Sequence, residues 1–345
     1  MSIINQIVEN AIKAGSSDIH LEENEAIAVR INSDIRISEQ KLSSENFDEI
    51  LRELLSEEER KNYLEKFDLD TSISINGLAR LRINAYFSNQ RRCLTLRILN
   101  DNVPNWKDIG LPESFMNLAK CHKGLILCTG PTGSGKSTTL ASFINYILNN
   151  QKRHIITIED PIEYLFENTN KSIIHQREVS RDTKSFSAAL RAALREDPDV
   201  IYIGEMRDLE TISLAMTAAE TGHLVLGTLH TSSASKTVER IVDVFPGDQQ
   251  EQARLQASSS IVGIMSQTLC KNNYGKRSLA YEIMITNNAI SNLIREKQIN
   301  QIYSQIQTGL KEGMQTLDQT LKNLLKENII SEAVSYTHLT LPTKA

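Results

Sequence analysis

The chain has 345 residues, of which 40% are hydrophobic and 23% charged, and its formal net charge is −5 at pH 7. This length allows two domains with separate cores, and the composition is typical of an ordinary globular protein. No run of 18 apolar residues is present, so we expect no transmembrane segment. The acidic balance gives no reason to expect nucleic acid as the main partner.

The first hundred residues mix helical and strand patterns. Apolar residues between Ile3 and Ile12 follow helical spacing and predict an amphipathic helix, and the acidic Glu9 argues against a signal peptide. A strand is predicted over 27–37, and Ser56-x-x-Glu59 is a capping box that predicts a helix through Phe67. Asn76-Gly77 predicts a tight hairpin, and a further strand is expected over 93–99. Residues 1–99 are therefore predicted to form a small α+β domain.

Residues 100–112 contain two prolines and little periodicity, which predicts a linker. Four short apolar runs then alternate with helical patterns, at 125–130, 154–160, 199–205 and 223–230. This alternation is typical of an α/β domain with a mostly parallel sheet. From about Phe245 we expect mainly helices. The four cysteines have no CxxC pairing, which favours a reducing, cytoplasmic location over a disulfide framework or a zinc site.

A glycine-rich segment between the first of these runs and the next helical pattern fits G-x-x-x-x-G-K-[ST]. Such a loop directs backbone N–H groups at phosphate oxygens, its lysine reaches the β- and γ-phosphates, and its serine ligates Mg²⁺. The predicted nucleotide-binding residues of the segment are Gly130, Pro131, Thr132, Gly133, Ser134, Gly135, Lys136, Ser137 and Thr138. ATP and Mg²⁺ are the expected cofactors.

Acidic residues follow two of the predicted strands. Glu159, Asp160 and Glu163 follow one, and Glu205 and Asp208 follow another. Carboxyl ends of parallel strands meet at one edge of a sheet, so both groups are expected to face the phosphate loop, where hydrolysis needs acids for the metal and the water. For either group alone, a solvated helix cap would be an equally good interpretation.

Two histidines, His223 and His230, bracket the last apolar run. No third ligand lies at a suitable spacing, so a metal site is not predicted. Sensing of the γ-phosphate is the functional interpretation. A structural role at a strand end is the alternative that local sequence leaves open.

These motifs resemble those of secretion ATPases, the motors of type II and type IV secretion and of type IV pili. The matching segments are GPTGSGKST (130–138), IITIEDPIEY (155–164), DPDVIYIGEMRD (197–208) and ETGHLVLGTLHT (220–231). Within the superfamily the chain is most similar to the PilT-type pilus retraction ATPases, through QREVSRD (176–182), AISNLIRE (289–296) and GMQTL (313–317). The retraction ATPases have arginine where this chain has Ser291.

The resemblance implies a PAS-like domain over 1–99, a RecA-like ATPase domain over 113–333 and a homohexamer at the cytoplasmic face of the inner membrane. A pilus platform protein of the inner membrane would be the partner. It implies that Glu163 polarises the attacking water, that Glu205 with Ser137 supports Mg²⁺, and that His230 senses the γ-phosphate. Lys136 is also expected to be a catalytic residue. Further nucleotide contacts are expected from Arg80, Arg82, Arg97, Glu159, Asp160 and His223.

Other functions are weighed against pilus retraction. An extension or type II secretion ATPase usually carries a tetracysteine insert, which this chain lacks, and an accessory PilU-like retraction ATPase is harder to exclude. A DNA-handling RecA-like ATPase and a scaffold without turnover are further alternatives. Catalytic residues do not give the direction of pilus movement or the firing order. From about Val334 the likeness ends, and residues 335–345 are predicted to break the helical pattern, so we expect 334–345 to be a non-native tail that replaces the natural C-terminal helices.

Overall fold

The computed structural model describes residues 2–31, 34–75, 77–99 and 102–338. By their contacts these residues form two units, one that ends at Asn102 and includes Glu163–Leu165, and one that begins at Val103. Each unit has its own sheet and its own buried core.

The first unit is an α+β fold with an antiparallel sheet. Its elements are α1 (Ile3–Lys13), β1 (Asp18–Glu22), β2 (Ala26–Ile31), β3 (Asp34–Lys41), α2 (Ser44–Leu54), α3 (Glu57–Lys66), β4 (Asp68–Ile75), β5 (Ala79–Ser88) and β6 (Arg91–Leu99). The strands lie in the order β3-β2-β1-β6-β5-β4, and every pair among the described residues is antiparallel. One face of the sheet packs against the three helices around Phe47, Tyr63 and Leu94.

Several predicted elements of this unit are confirmed. Helix α1 buries one apolar face, and α3 begins after Ser56 with both hydrogen bonds of the capping box and ends at Lys66. Strands β4 and β5 form the predicted hairpin with Gly77 at φ +77°, while Asn76 lies outside the described residues. The single strand predicted over 27–37 is wrong. Strand β2 ends at Ile31, and β3 begins at Asp34 and pairs antiparallel with β2. The sequence Asn-Ser-Asp at this point is typical of a turn, a signal that the prediction overlooked.

The second unit is a larger α/β fold. Its elements are α4 (Glu113–Asn117), β7 (Gly124–Thr129), α5 (Lys136–Asn150), β8 (His154–Glu159), β9 (Ile173–Glu178), α6 (Phe186–Ala193), β10 (Val200–Ile203), α7 (Leu209–Glu220), β11 (Leu224–Leu229), α8 (Ala234–Asp243), α9 (Gln250–Ser260), β12 (Ile261–Lys271), β13 (Arg277–Ile285), α10 (Asn288–Arg295), α11 (Ile302–Thr308), α12 (Leu317–Lys326) and α13 (Glu332–His338). Three short 3-10 turns lie at Leu118–Lys120, Ile299–Gln301 and Gly309–Glu312.

The described strands of this unit form one sheet in the order β13-β12-β7-β11-β10-β8-β9. All neighbours are parallel except β12 and β13, which confirms the mostly parallel sheet and the four predicted strands. Helix α5 packs on one face of the sheet, and α6 to α9 pack on the other. Doubly covered parallel strands are buried on both sides, which explains their continuous apolar runs.

The carboxyl-terminal part differs from the prediction in two ways. Strands β12 and β13 lie where mainly helices were expected, because the run from Ile261 completes the buried sheet beside β7. Helix α13 continues through Ser335 to His338, so the predicted break of the helical pattern is wrong for these residues. Ser335 is buried, and Val334 packs on the small cluster that contains Leu321. Leu339–Ala345 lie outside the described residues, and the non-native origin of 334–345 stays a prediction.

Candidate active site

The site is built at the carboxyl edge of the parallel strands in the second unit. Thr129, the last residue of β7, pairs with Leu229, the last residue of β11. Ile203, the last residue of β10, pairs with Gly227 and with Ile158. The segments that follow these strands therefore emerge along a single edge of the sheet, as expected for ligand sites in open α/β folds.

The glycine-rich segment forms the loop between β7 and α5. Gly130, Gly133 and Gly135 have φ values of +145°, +78° and +88°. A side chain at Gly130 is excluded by space as well, since a Cβ there would lie 2.3 Å from the carbonyl oxygen of Gln267. Gly135 caps α5 without a side-chain hydrogen bond. The cap thus supplies no side-chain acceptor to the first turn of α5, as at helix N-termini that bind anions.

Lys136 lies over this loop. Its ammonium group Nζ donates to the carbonyl oxygens of Gly130 at 2.9 Å and Pro131 at 3.1 Å. The side chain is buried, and so is the hydroxyl Oγ of Ser134, for which no hydrogen-bond partner is found among the described residues. A buried cation and a buried hydroxyl beside uncapped amides form a cradle for phosphate oxygens.

Gln267 of β12 holds the phosphate loop through its side chain, and the sequence analysis did not identify it. Its Nε2 donates to the carbonyl oxygen of Ser134 at 2.6 Å, and its Oε1 accepts from the Cys128 thiol at 3.0 Å. The side chain is buried. An amide in the middle of an apolar run was the available signal, because a buried polar group needs partners.

Cys128 gives a prediction on thiol reactivity. Burial raises the pKa of its thiol to about 12. Because the thiolate is the reactive form, Cys128 should resist alkylation by iodoacetamide at pH 8 in the folded protein and react after unfolding. Peptide mass spectrometry would measure this, with the half-buried Cys121 as the internal comparison. Rapid native labelling of Cys128 would contradict the packing described for β7.

Glu205 lies two residues after the end of β10 and contacts the side chains of His230 and Arg207. Its Oε1 is 2.8 Å from Nε2 of His230, and its Oε2 is 2.6 Å from the Arg207 guanidinium. Burial opposes ionisation of Glu205, but the hydrogen bonds and charges of Arg207 and His230 outweigh it and lower the carboxyl pKa. Glu205 also raises the pKa of Arg207, with a smaller contribution from the charge of Asp160. The predicted residues Glu205, His230 and Asp160 are thus brought together.

Glu159 is the last residue of β8, and Asp160 and Glu163 come after it in the chain. Glu159 is buried and accepts hydrogen bonds from Thr157 at 2.6 Å and from Gln176 at 3.2 Å, so its carboxylate has structural partners. Asp160 is exposed. Glu163 is half-buried in the segment between β8 and β9. Its role in catalysis stays a prediction.

His223 does not share this edge. It precedes β11, its Nδ1 donates to the Ala218 carbonyl oxygen at 3.1 Å, and its own carbonyl oxygen accepts from the Gly124 amide at the start of β7. The six residues of β11 separate it from His230, a distance of roughly 20 Å at the rise of a strand. The two ends of a strand lie at opposite edges of the sheet, so His223 is not brought to the edge that carries His230. Its contact with nucleotide stays a prediction.

The three predicted arginines lie on β5 and β6 of the first unit. Arg82 donates to Asp70 through Nε at 3.1 Å and NH2 at 2.6 Å, and Arg97 donates to Asp18 at 2.9 Å. Arg82 and Arg97 are cross-strand neighbours beside a depression of about 270 Å³. Arg80 lies two residues before Arg82 on β5 and is buried. The guanidinium groups of Arg82 and Arg97 are both held by carboxylates of their own unit.

A cavity of about 690 Å³ opens next to the phosphate loop within the second unit. Gly135 and Thr138 form one wall. The other walls come from the 107–110 segment, from β12 and β13, including Leu269 and Arg277, and from α12 and the residues just after it. The size suits a small organic ligand, and the mixture of apolar and polar walls suits a base and a sugar. Sequence reasoning did not find it, since its walls come from distant segments.

Comparison with known proteins gives the family. The model of the type II/IV secretion system protein family matches residues 1–277. The chain belongs to this family. It is 46% identical to the type IV pilus retraction ATPase PilT of Pseudomonas aeruginosa over 329 residues, which cover 95% of each chain. It is also 46% identical to a twitching motility protein of Neisseria gonorrhoeae over 305 residues, 88% of this chain and 81% of that protein.

A solved structure supports the same relationship. The crystal structure of the pilus retraction motor PilT with bound ADP matches with a TM-score of 0.93 and 47% identity, covering 100% of this chain and 99% of that one. The predicted resemblance to secretion ATPases and the predicted fold class are thereby confirmed. Within the described residues, no helix has both the length and the apolar character needed to cross a bilayer.

Proposed function

We propose that this chain is an ATP-hydrolysing motor subunit that powers retraction of a type IV pilus. The observation that carries the proposal is the edge where Gly130–Ser137 with Lys136 meets the Glu205–His230 pair. Its similarity to PilT over nearly the whole chain supplies the link to the pilus.

The phosphate cradle supports one orientation of the nucleotide. Phosphate oxygens accept from the amides of the loop and of α5, and Lys136 exchanges the carbonyl oxygens of Gly130 and Pro131 for the β- and γ-phosphates. The nucleoside then occupies the cavity beside Gly135 and Thr138. Nucleotide-binding roles for the other loop residues follow from the same geometry.

The chain also offers ligands that fit Mg²⁺. Among the described residues, no group of three or more His, Cys, Asp or Glu side chains could hold a metal ion. Magnesium in nucleotide sites needs one or two protein ligands besides phosphates and waters, so Ser137 and the ionised Glu205 are sufficient. When bound, the ion neutralises charge on the β- and γ-phosphates.

The remaining roles are assigned by chemistry and family resemblance. Glu163 orients and polarises the attacking water, and His230 detects the γ-phosphate through its contact with Glu205. Arg80, Arg82 and Arg97 supply positive charge to the phosphoryl oxygens, which requires Arg82 and Arg97 to leave Asp70 and Asp18. Glu159 and Asp160 complete the acidic side of the site.

Motion follows from the loss of the γ-phosphate. Six copies form a ring at the cytoplasmic face of the inner membrane, and hydrolysis releases a closed arrangement of the domains 1–99 and 113–333 about the linker 100–112. The pilus platform protein receives this motion, and nucleic acid is not a partner. The direction of movement comes from the likeness to PilT rather than from the catalytic residues.

Gene deletion followed by pilus counting tests the direction. Cells without the gene should keep normal or excess pili and lose twitching, and the wild-type gene should restore twitching. A gene carrying a catalytically silent Lys152→Ala change serves as the matched control, since Lys152 is exposed beyond the carboxyl end of α5. Bald cells would show an extension motor instead. Partial twitching would favour the accessory, PilU-like role.

A further inference from the structure

Two side chains of the edge strand β9 hold the segment that carries Glu163. Gln176 and Glu178 are two residues apart, so both project from the same face of the strand. Gln176 accepts from the Phe166 amide at 2.9 Å, and Glu178 accepts from the Ile162 amide at 3.0 Å. The segment is therefore fastened immediately before Glu163 and three residues after it.

Gln176 and Glu178 are themselves held by hydrogen bonds. Through Nε2, Gln176 donates to the buried carboxylate of Glu159 at 3.2 Å, which ties the end of β8 to Phe166. Glu178 is buried, and its own amide donates to Asp182 at 2.8 Å. Burying a carboxylate costs free energy unless its hydrogen bonds are satisfied. The buried Glu178 therefore suggests a role beyond packing.

From this geometry we infer that Gln176 and Glu178 are positioning residues for Glu163. With Ile162 and Phe166 held by side-chain oxygens, only three residues lie between the fixed points, and the backbone at Glu163 has little freedom. Positioning matters because a displacement of about 1 Å in a reacting group can reduce a rate roughly 100-fold. The inference rests on the proposed role of Glu163 in hydrolysis.

Kinetics of the full-length protein test this inference. Gln176→Met keeps the side-chain volume and removes both hydrogen bonds, and Glu178→Ala removes the acceptor for Ile162. Each should lower kcat for ATP about 10- to 100-fold while the Kd for ADP changes by less than about threefold, because the phosphate loop is untouched. Glu178→Gln retains a carbonyl acceptor and should recover most of the activity.

Arg177 provides the matched control on the same strand. It projects to the opposite face, where it pairs with Glu196 at 3.0 Å. Arg177→Gln breaks this partly exposed ion pair and should leave kcat within about twofold of the wild-type value.

A double-variant cycle separates positioning from general stability. Glu163→Gln alone should lower kcat about 100-fold, and adding Gln176→Met should then cost less than about threefold more, since there is no catalytic carboxylate left to misplace. Hydrogen exchange of the 162–166 amides should be faster in Gln176→Met and Glu178→Ala, and it reports on the segment even where activity is lost.

Three results would overturn the inference. The first is wild-type kcat in both Gln176→Met and Glu178→Ala while Glu163→Gln is inactive, which leaves the proposed function intact. The second is a full additional loss from Gln176→Met in the Glu163→Gln background, which indicates a purely structural role. The third is unchanged hydrogen exchange of the 162–166 amides in both variants. An active Glu163→Gln protein would instead remove the role of Glu163 from the proposed function.

Discussion

Lys136→Ala should reduce ATP hydrolysis by about 10³-fold, because it removes the one ammonium group placed over the phosphate loop among the described residues. Nζ is held by the carbonyl oxygens of Gly130 and Pro131, directly beside the uncapped amides of α5. Without it the β- and γ-phosphates lose a buried positive charge that no neighbouring side chain of the loop replaces. Steady-state phosphate release would measure the loss of hydrolysis, and titration with a fluorescent ADP analogue would measure the change in nucleotide affinity.

The control for this variant is Lys152→Ala, at an exposed lysine just beyond the carboxyl end of α5. Its hydrolysis rate and nucleotide affinity should equal those of the wild-type protein. Thermal melting should show that Lys136→Ala is folded. If Lys136→Ala kept more than a tenth of the wild-type kcat, the phosphate loop could not be the centre of the reaction.

The sequence was sufficient for those parts of the fold that local signals determine. Strands β7, β8, β10 and β11 are short apolar runs bounded by polar residues, so their type and approximate limits were predictable. Strand β12 was missed because its eleven residues are long enough for a helix, and its Ser, Gln and Thr interrupt the apolar run. Its identity as a strand comes from pairing with β7, which lies more than a hundred residues earlier.

The candidate site likewise has parts that local sequence predicts and parts that depend on distant segments. Gly130–Thr138 could be recognised because all its phosphate-binding groups are contiguous. Gln267 supports the loop from a strand that is distant in sequence, and Gln176 reaches Phe166 across a turn. Such partners follow from strand order, which the sequence pattern alone did not determine. The sequence pattern also grouped His223 with His230, because a pattern does not tell which end of a strand lies at which edge of the sheet.

Glu205→Gln should lower kcat roughly 10²- to 10³-fold and raise the Mg²⁺ concentration needed for half-maximal activity, because it removes a negative charge while it keeps the side-chain shape. The pKa of Glu205 is lowered, so the wild-type carboxylate is ionised across the neutral range and the defect should persist from pH 6 to pH 9. Nucleotide affinity without Mg²⁺ should change little, since Lys136 and the loop amides are intact. Phosphate release at varied Mg²⁺ would measure this.

The same variant makes a prediction about stability and pH. A carboxyl group whose pKa is lower in the folded protein than in the unfolded chain stabilises the fold above its ordinary pKa of 4.5, and this contribution disappears as the pH falls through the folded value. Glu205→Gln should therefore melt at a lower temperature than the wild-type protein at pH 7, with a difference that narrows below pH 4.5. The matched control is Glu210→Gln, which breaks the exposed pair with Arg191 on the helical surface and should retain activity. Equal activity of Glu205→Gln and Glu210→Gln would contradict the assignment of Glu205, because a carboxylate joined to His230 and Arg207 at the strand edge would then contribute no more than a surface charge.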